Sequence, residues 1–434
     1  MEEKKIIKRV LGIIDAKQKD IAAFLQDIIK IPSVNVTGKE KKCQEFIGSK
    51  FNELGLKVDM WEPNWEEVKK HPAYVPVEEW YSEYKGFKNR PIVVGVHKGS
   101  GKGRSLLFNG HIDVVPPGLV GDWTKDPWSG ELENGRIYGR GTADMKAGVV
   151  AMISALEAVL ETGITLKGDV ILESVLDEES GGNGTIACLQ RGYKADAGIF
   201  TEPSELEIVI AHTGHQMFKI EVEGKASHIG FKDEGVDAIL KAQKIMEKVY
   251  EWEQARCKIG LQHLLYKRWP HGGCAVVIGE CQGGEYITST ARKCVLKGLY
   301  QTLPGEDVKG KLNNELKEVV NCCNYLDPWL RKHPAKFTPF GMWYEGAEIS
   351  SDNPIVTTLS KAFYEVLQKN PIFTGMPTGC DMRIYTNRGD TPSFIFGPGS
   401  IRCAHSVDEY VKVEELIKAT KVLAITILKW CEIS

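Results

Sequence analysis

Three short apolar runs in this chain each end in side chains of the kind that bind metal ions, which points to a sheet whose strand ends meet in one place. Leu106-Leu107-Phe108 leads to Gly110-His111-Ile112-Asp113, Val170 to Val175 leads to Asp177-Glu178-Glu179, and Ala197 to Phe200 leads to Thr201-Glu202. Open α/β sheets place their ligands beyond the C-terminal ends of their strands. Alternate strand residues share a face, so Asp113 is expected to point the way His111 points and to anchor that ring or fix its tautomer.

A glycine-rich segment, Gly139-Arg140-Gly141-Thr142-Ala143-Asp144, precedes the periodic apolar positions Val149, Met152, Ile153, Leu156, Val159 and Leu160, which predict a helix. The Asp144 carboxylate is thereby expected at a helix N-terminus, where the dipole favours an anion able to bridge two cations. The adjacent Glu178 and Glu179 invite a division of labour, one binding metal while the other moves the proton of an attacking water. His405 follows a short apolar segment at Phe396 and precedes the last helix. With it, His111, Asp144, Glu179 and Glu202 make two nitrogen/oxygen sites bridged by one carboxylate, a set that suits zinc or a similar divalent ion.

The segments GHIDVVP, YGRGTADMKAG, VLDEESGG, TEP, and GPG with its downstream AHSVDEYV resemble, in that order, the motifs of the M20 metallopeptidase family. The resemblance implies two divalent metal ions, zinc or cobalt. It puts His111, Asp144 and Glu202 on one ion and Glu179 and His405 on the other, with Asp144 as the bridge, Glu178 as the general base and Asp113 as the partner that tunes His111. It also implies that the Asp144-Met145 peptide is cis. By the same resemblance, His228 in Gly224-Lys-Ala-Ser-His228 is a lid histidine that reaches a substrate oxygen, usually in the partner subunit's site. Arg383 in Thr378-Gly-Cys-Asp-Met-Arg383 corresponds to the arginine that holds a substrate carboxylate. One segment departs from the pattern. Where relatives read D-x-R-x-x-P-G-E, this chain has Leu299-Tyr300-Gln301-Thr302-Leu303-Pro304-Gly305-Glu306, so Gln301 stands near the place of an arginine.

Strand and helix signals alternate through the first half of the chain, indicating an α/β sheet covered on both faces. An insert over 61–91 is dense in aromatic residues and is expected to pack under a long loop, with a rim over the active site as the other reading. After Gly214 the pattern changes: Phe218, Ile220 and Val222 alternate with Lys219, Glu221 and Glu223, which reads as a half-buried edge strand. The order strand, helix, two strands, helix, strand that follows is ferredoxin-like. The expected architecture is therefore a two-metal α/β hydrolase domain with a mixed sheet, formed by 1–213 and 344–434, plus an inserted α+β lid and dimerisation domain over 214–343. A homodimer with shared sites is expected, with Gly214 as a hinge. His212 and His215, spaced like ligands but lacking nearby acids, read as hinge residues.

The 434 residues, 42% of them hydrophobic, supply a core for each domain. A formal net charge of −3 with no basic block gives no reason to expect nucleic acid. No apolar stretch is long enough for a membrane span, the charged start has no signal-peptide core, and no Gly-Lys-Ser/Thr loop cradles phosphate. Eleven cysteines without a C-x-x-C pair read as reduced residues of a cytoplasmic protein. The expected activity is metal-dependent hydrolysis of a small amide, an N-acyl amino acid or a related N-acyl or N-formyl amine. A dipeptidase or carboxypeptidase using the same groups is the alternative, and a non-catalytic metal-binding fold is a third.

Overall fold

The computed structural model describes residues 2–434 and gathers most of its buried apolar side chains into two large, separate cores. The chain lays down β1 (Lys57–Trp61), β2 (Ile92–His97), β3 (Leu106–His111), β4 (Val170–Val175), β5 (Ala197–Phe200) and β6 (Ile208–His212). It leaves for a second sheet of β7 (Gly214–Glu223), β8 (Val276–Gly283), β9 (Lys293–Thr302) and β10 (Lys336–Tyr344). It then returns as β11 (Ala347–Glu348), β12 (Phe373–Met376) and β13 (Ser393–Ile395). Among the described residues the larger sheet has nine strands, in the order β1-β2-β4-β3-β5-β13-β6-β11, with β12 beside β6.

The centre of this sheet is parallel: β3 runs parallel to β4 and β5, and β13 parallel to β5. Strands β3 to β6 are buried along their whole length, the condition that near-continuous apolar runs satisfy when both faces are covered. Helix Ala147–Leu160 lies against this core and against the last helix, Val413–Cys431. Its approach to the sheet requires Gly148, because a Cβ there would lie 1.8 Å from the Thr201 carbonyl oxygen. The close contact sets the turn that carries Asp144 against the strand end that carries Glu202.

The smaller sheet is antiparallel, in the order β8-β9-β7-β10, with helices Ala238–Gly260 and Asn313–Leu326 as its connections. That order is ferredoxin-like, as expected, but it corrects the reading of Phe218 to Val222 as an edge. Strand β7 is interior, bonded to β9 on one side and β10 on the other. Its alternating burial comes from having one covered face. Period-2 alternation reports the face and says nothing about lateral neighbours. The edges are β8, exposed over most of its length, and β10.

The aromatic insert packs on itself and against the larger core, which takes in Val68 and Phe87 with Trp65 and Tyr74 beside them. Trp65 meets Tyr74, Tyr84 and Phe87 edge to face with centroids 5.0 to 5.9 Å apart. No helix among the described residues is long and apolar enough to cross a membrane. All eleven cysteines are free thiols, most of them buried, though Cys281 and Cys322 are exposed.

Glu173, in the middle of β4, is wholly buried and accepts hydrogen bonds from Tyr385 Oη at 2.6 Å and Asn109 Nδ2 at 2.8 Å. Burial pushes its carboxyl up from 4.5 to about 8. A folded-state value raised in this way contributes stability that is complete below about pH 4.5 and is lost as pH rises through about 8. Melting temperatures should therefore fall across this window in the native protein. They should fall less in Glu173→Gln, which keeps the shape and removes the titration, and equal slopes for the two proteins would contradict the assignment.

Candidate metal centre and active site

His111 is the last residue of β3, and its ring is fixed from behind. Nδ1 lies 2.8 Å from the Asp113 carbonyl oxygen, a bond that makes Nδ1 the donor and leaves Nε2 facing forward. The Asp113 carboxylate is 3.6 Å from the same nitrogen and accepts the Glu179 backbone N–H at 3.3 Å. Asp113 therefore holds the ring first through its backbone. Forward of the ring, Nε2 is 3.2 Å from Asp144 Oδ1, 3.8 Å from Glu202 Oε2 and 3.9 Å from Glu178 Oε2.

Asp144 is not at a helix N-terminus. It lies in the irregular turn Thr142–Lys146 with φ −118° and ψ 95°, ahead of helix Ala147–Leu160, and its peptide bond to Met145 is cis. The turn is held by Glu409, which is 1% exposed. One Glu409 oxygen accepts the N–H groups of Ala143 at 2.8 Å and Asp144 at 3.1 Å, and the other accepts Gly141 N–H at 3.1 Å and the Arg140 guanidinium.

The turn carrying the paired glutamates is braced in the same manner. Asp177 adopts a left-handed conformation, φ +65°, and its carboxylate receives the Tyr84 hydroxyl and the Arg90 guanidinium. Arg90 also binds Glu40 at 2.7 Å. Gly182, at φ +73°, leaves no room for a Cβ, which would sit 2.0 Å from Asp381 Oδ1. His405, also left-handed at φ +60°, puts its Nε2 3.0 Å from Glu179 Oε2 and 3.4 Å from Asp144 Oδ2.

The result is two trios that share one residue. His111, Asp144 and Glu202 offer ligand atoms within 4.8 Å of one another, and so do Asp144, Glu179 and His405. A tetrahedral ion with ligands at ~2.1 Å needs them ~3.4 Å apart, and the imidazole–carboxylate distances within the trios, 3.0 to 3.8 Å, fit that span. Glu178 belongs to neither trio, yet it lines the same cavity of about 160 Å³.

Charge accumulates here. Burial, and then the charge of Glu202, push Glu178 well above the usual carboxylate range, and burial raises Glu202 likewise. Asp144 is drawn below its usual value against its burial, by hydrogen bonds from His111 and His405. Hydrogen bonds to Asp144 and Glu179 raise His405 to about 10. Among the described residues no lysine or arginine lines the cavity. The donor set of two imidazoles and three carboxylates, with Glu178 beside it, fits a pair of divalent cations.

Two expected site residues are not brought to this cavity. His228 is exposed in the turn after β7, where Nδ1 accepts the Gly230 N–H at 3.2 Å. Arg383 is 1% exposed, because its guanidinium lies 4.3 Å from the centroid of the Tyr344 ring and donates to the Gly181 carbonyl at 2.9 Å. Conversely, His215, read from sequence as a hinge residue, lines the cavity and stacks on Tyr344 at 4.2 Å. Glu409 and Tyr344 carried no separate sequence signal, although Glu409 follows His405 within one motif.

The sequence profile of peptidase family M20/M25/M40 matches residues 107–429. Among curated relatives, N-formyl-4-amino-5-aminomethyl-2-methylpyrimidine deformylase of Halalkalibacterium halodurans is 27% identical over 99% of this chain and 98% of its own length. The protein of the same name from Bacillus subtilis is 28% identical over 92% of this chain and 91% of its own. A solved structure of Dug1p, a di-peptidase from Saccharomyces cerevisiae, superposes with a TM-score of 0.75 over 98% of both chains at 15% identity, which speaks to the fold alone.

Because Asp144 is common to both trios, Asp144→Ala should abolish binding of both ions, whereas Glu202→Ala or His405→Ala should leave one. Metal content per chain after dialysis measures this, and an Asp144→Ala protein that keeps one ion would show that the trios are independent.

Proposed function

This chain belongs to peptidase family M20/M25/M40, and from that premise we propose that it hydrolyses a small N-acyl or N-formyl amine at a pair of divalent metal ions, zinc or cobalt. The observation that carries the proposal is the sharing of Asp144 between two ligand trios, with a further carboxylate, Glu178, free in the same cavity. Full-length similarity to two deformylases favours an acyl amine over a peptide as substrate.

Ions held by His111, Asp144 and Glu202 and by Asp144, Glu179 and His405 would supply Lewis acidity at the amide carbonyl and at the attacking water. The chain's own groups do the rest. Glu178 accepts a proton from the water as its oxygen bonds to the carbonyl carbon. It returns that proton to the nitrogen as the C–N bond breaks, so that the products are a carboxylic acid and an amine, and the acid's proton then passes to the amine to leave a carboxylate and an ammonium. Asp113 and the backbone keep His111 in one tautomer, while Tyr344 fixes the Glu178 backbone by donating to its carbonyl oxygen at 2.9 Å.

The peptidase reading uses the same groups but needs a cation for a terminal carboxylate, and the cavity has none among its described lining residues. Arg383 takes that role only if Tyr344 moves off it. The division into 1–213, 214–343 and 344–434 is part of the proposal, supported by the separate core of the smaller sheet. So is a homodimer built on that sheet: Ile229, Phe231, Tyr286 and Ile287 are 63 to 96% exposed close to His228, an apolar area that a second subunit can cover. In such a dimer His228 reaches the neighbouring cavity and donates to the substrate oxygen. A cytoplasmic location suits the free thiols.

Glu178→Gln should lower turnover at least ~100-fold with metal content intact, the usual scale for losing a general base. Mixed under subunit exchange with inactive His228→Ala, it should regain activity through sites that have both groups. Near-normal turnover in Glu178→Gln would remove its role, and an exchanged but inactive mixture would remove the shared site.

A further inference from the structure

The rest of the cavity wall carries no charge. Beyond the acids and His405 it is made chiefly by His215, Met342, Tyr344, Met376 and Ile401. His215 is 8% exposed, its ring is stacked on Tyr344 with a 29° interplanar angle, and its Nε2 has no hydrogen-bond partner in the protein. Buried polar atoms in native proteins are rarely left unpaired, and those that are mark places where something else supplies the partner.

A carboxylate entering this cavity would find no lysine or arginine on its wall among the described residues. The positions that could offset this lie outside its wall. Gln301 donates its amide to the Pro377 carbonyl and accepts the Ala275 N–H at 3.2 Å, so it ties β9 to the 377–380 segment instead of facing substrate. Arg383 is 1% exposed beneath Tyr344 and gives one nitrogen to the Gly181 carbonyl, while its Nε and Nη1 have no partner in the protein.

We infer that His215 selects the amine half of the substrate: with the thioethers of Met342 and Met376 it receives a flat, uncharged group bearing hydrogen-bonding nitrogens, and the cavity rejects an amine that carries a carboxylate. This rests on the amide hydrolysis proposed above and specifies its substrate class. An imidazole without its proton offers one donor and one acceptor, the pattern that complements an amino-substituted nitrogen heterocycle. Burial, and then the nearby charge of Arg383, hold His215 down at about 3, so it does not become a carboxylate partner at neutral pH. Thioethers pack favourably against aromatic rings, and Met376 is 4% exposed in the wall.

The test compares native protein, His215→Phe and His215→Gln on two amides, N-formyl-4-amino-5-aminomethyl-2-methylpyrimidine and Nα-acetylornithine, with binding of the pyrimidine amine product followed by calorimetry. Phenylalanine keeps the stack on Tyr344 and removes the nitrogens, so a merely structural role would survive it. The native protein should favour the pyrimidine amide by at least ~100-fold in kcat/KM, on the scale set by leaving polar groups unpaired. In His215→Phe, KM for that amide should rise at least ~10-fold with kcat within ~3-fold, and product binding should weaken by the same factor. His215→Gln should fall between the two. If His215→Phe matches the native protein in KM and product binding, His215 is only a wall. A native preference for acetylornithine overturns the exclusion of carboxylates while amide hydrolysis stands. Cleavage of dipeptides and of neither amide overturns the proposed function itself, and calorimetry of the product amine still reads the role of His215.

Discussion

Asp144 lies between two imidazoles, with His111 Nε2 3.2 Å from one oxygen and His405 Nε2 3.4 Å from the other, and the larger core is organised to keep it there. Burying one carboxylate without a partner is costly, and burying four side by side is more so. The fold meets this cost around the cluster rather than inside it. Glu409 gathers three backbone N–H groups of the Asp144 turn and is itself paired with Arg140. Arg90 joins Glu40 to Asp177 beneath the glutamate turn. Inside the cluster, with no lysine or arginine on the cavity wall among the described residues, the histidines are the positive partners the chain itself supplies. Two divalent ions would balance the remaining charge, which is why the same geometry reads as a metal centre and as a hydrolytic site.

Much of this was legible in the sequence because it depends on local patterns. Apolar runs bounded by glycine and acids gave β3, β4 and β5, and their ends gave His111, the paired glutamates and Glu202. What failed depends on neighbours distant in the chain. The alternation of Phe218, Ile220 and Val222 correctly reports one covered face but cannot reveal that β10, more than a hundred residues later, closes the lateral side. A helix was correctly expected after Asp144, yet the turn before it takes its shape from Glu409 rather than from the helix. His215 has no acid near it along the chain because its companions come from the strand ends of the other sheet, at Glu178 and Glu202.

The two sheets divide the chemistry. The larger one, with the turns and loops beyond its strand ends, carries every residue of the two ligand trios and the free glutamate. The smaller one contributes the roots of β7 and β10, which bring His215, Met342 and Tyr344 to the cavity. Tyr344 connects the two, since it touches His215, covers Arg383 and donates to the Glu178 backbone. A shift of the smaller sheet would therefore change the shape of the substrate end of the cavity and leave the ligand trios in place. Acyl-group chemistry and amine selection can in this way vary separately on one scaffold.

The central claim is that one carboxylate serves two ions. It is tested most directly by a crystal structure of the zinc-loaded protein with anomalous data at the zinc edge. The account predicts two anomalous peaks ~3.5 Å apart, with Asp144 contributing one oxygen to each, His111 and Glu202 on one and Glu179 and His405 on the other. A single peak at full zinc loading, or two peaks with Asp144 bound to only one of them, would contradict it.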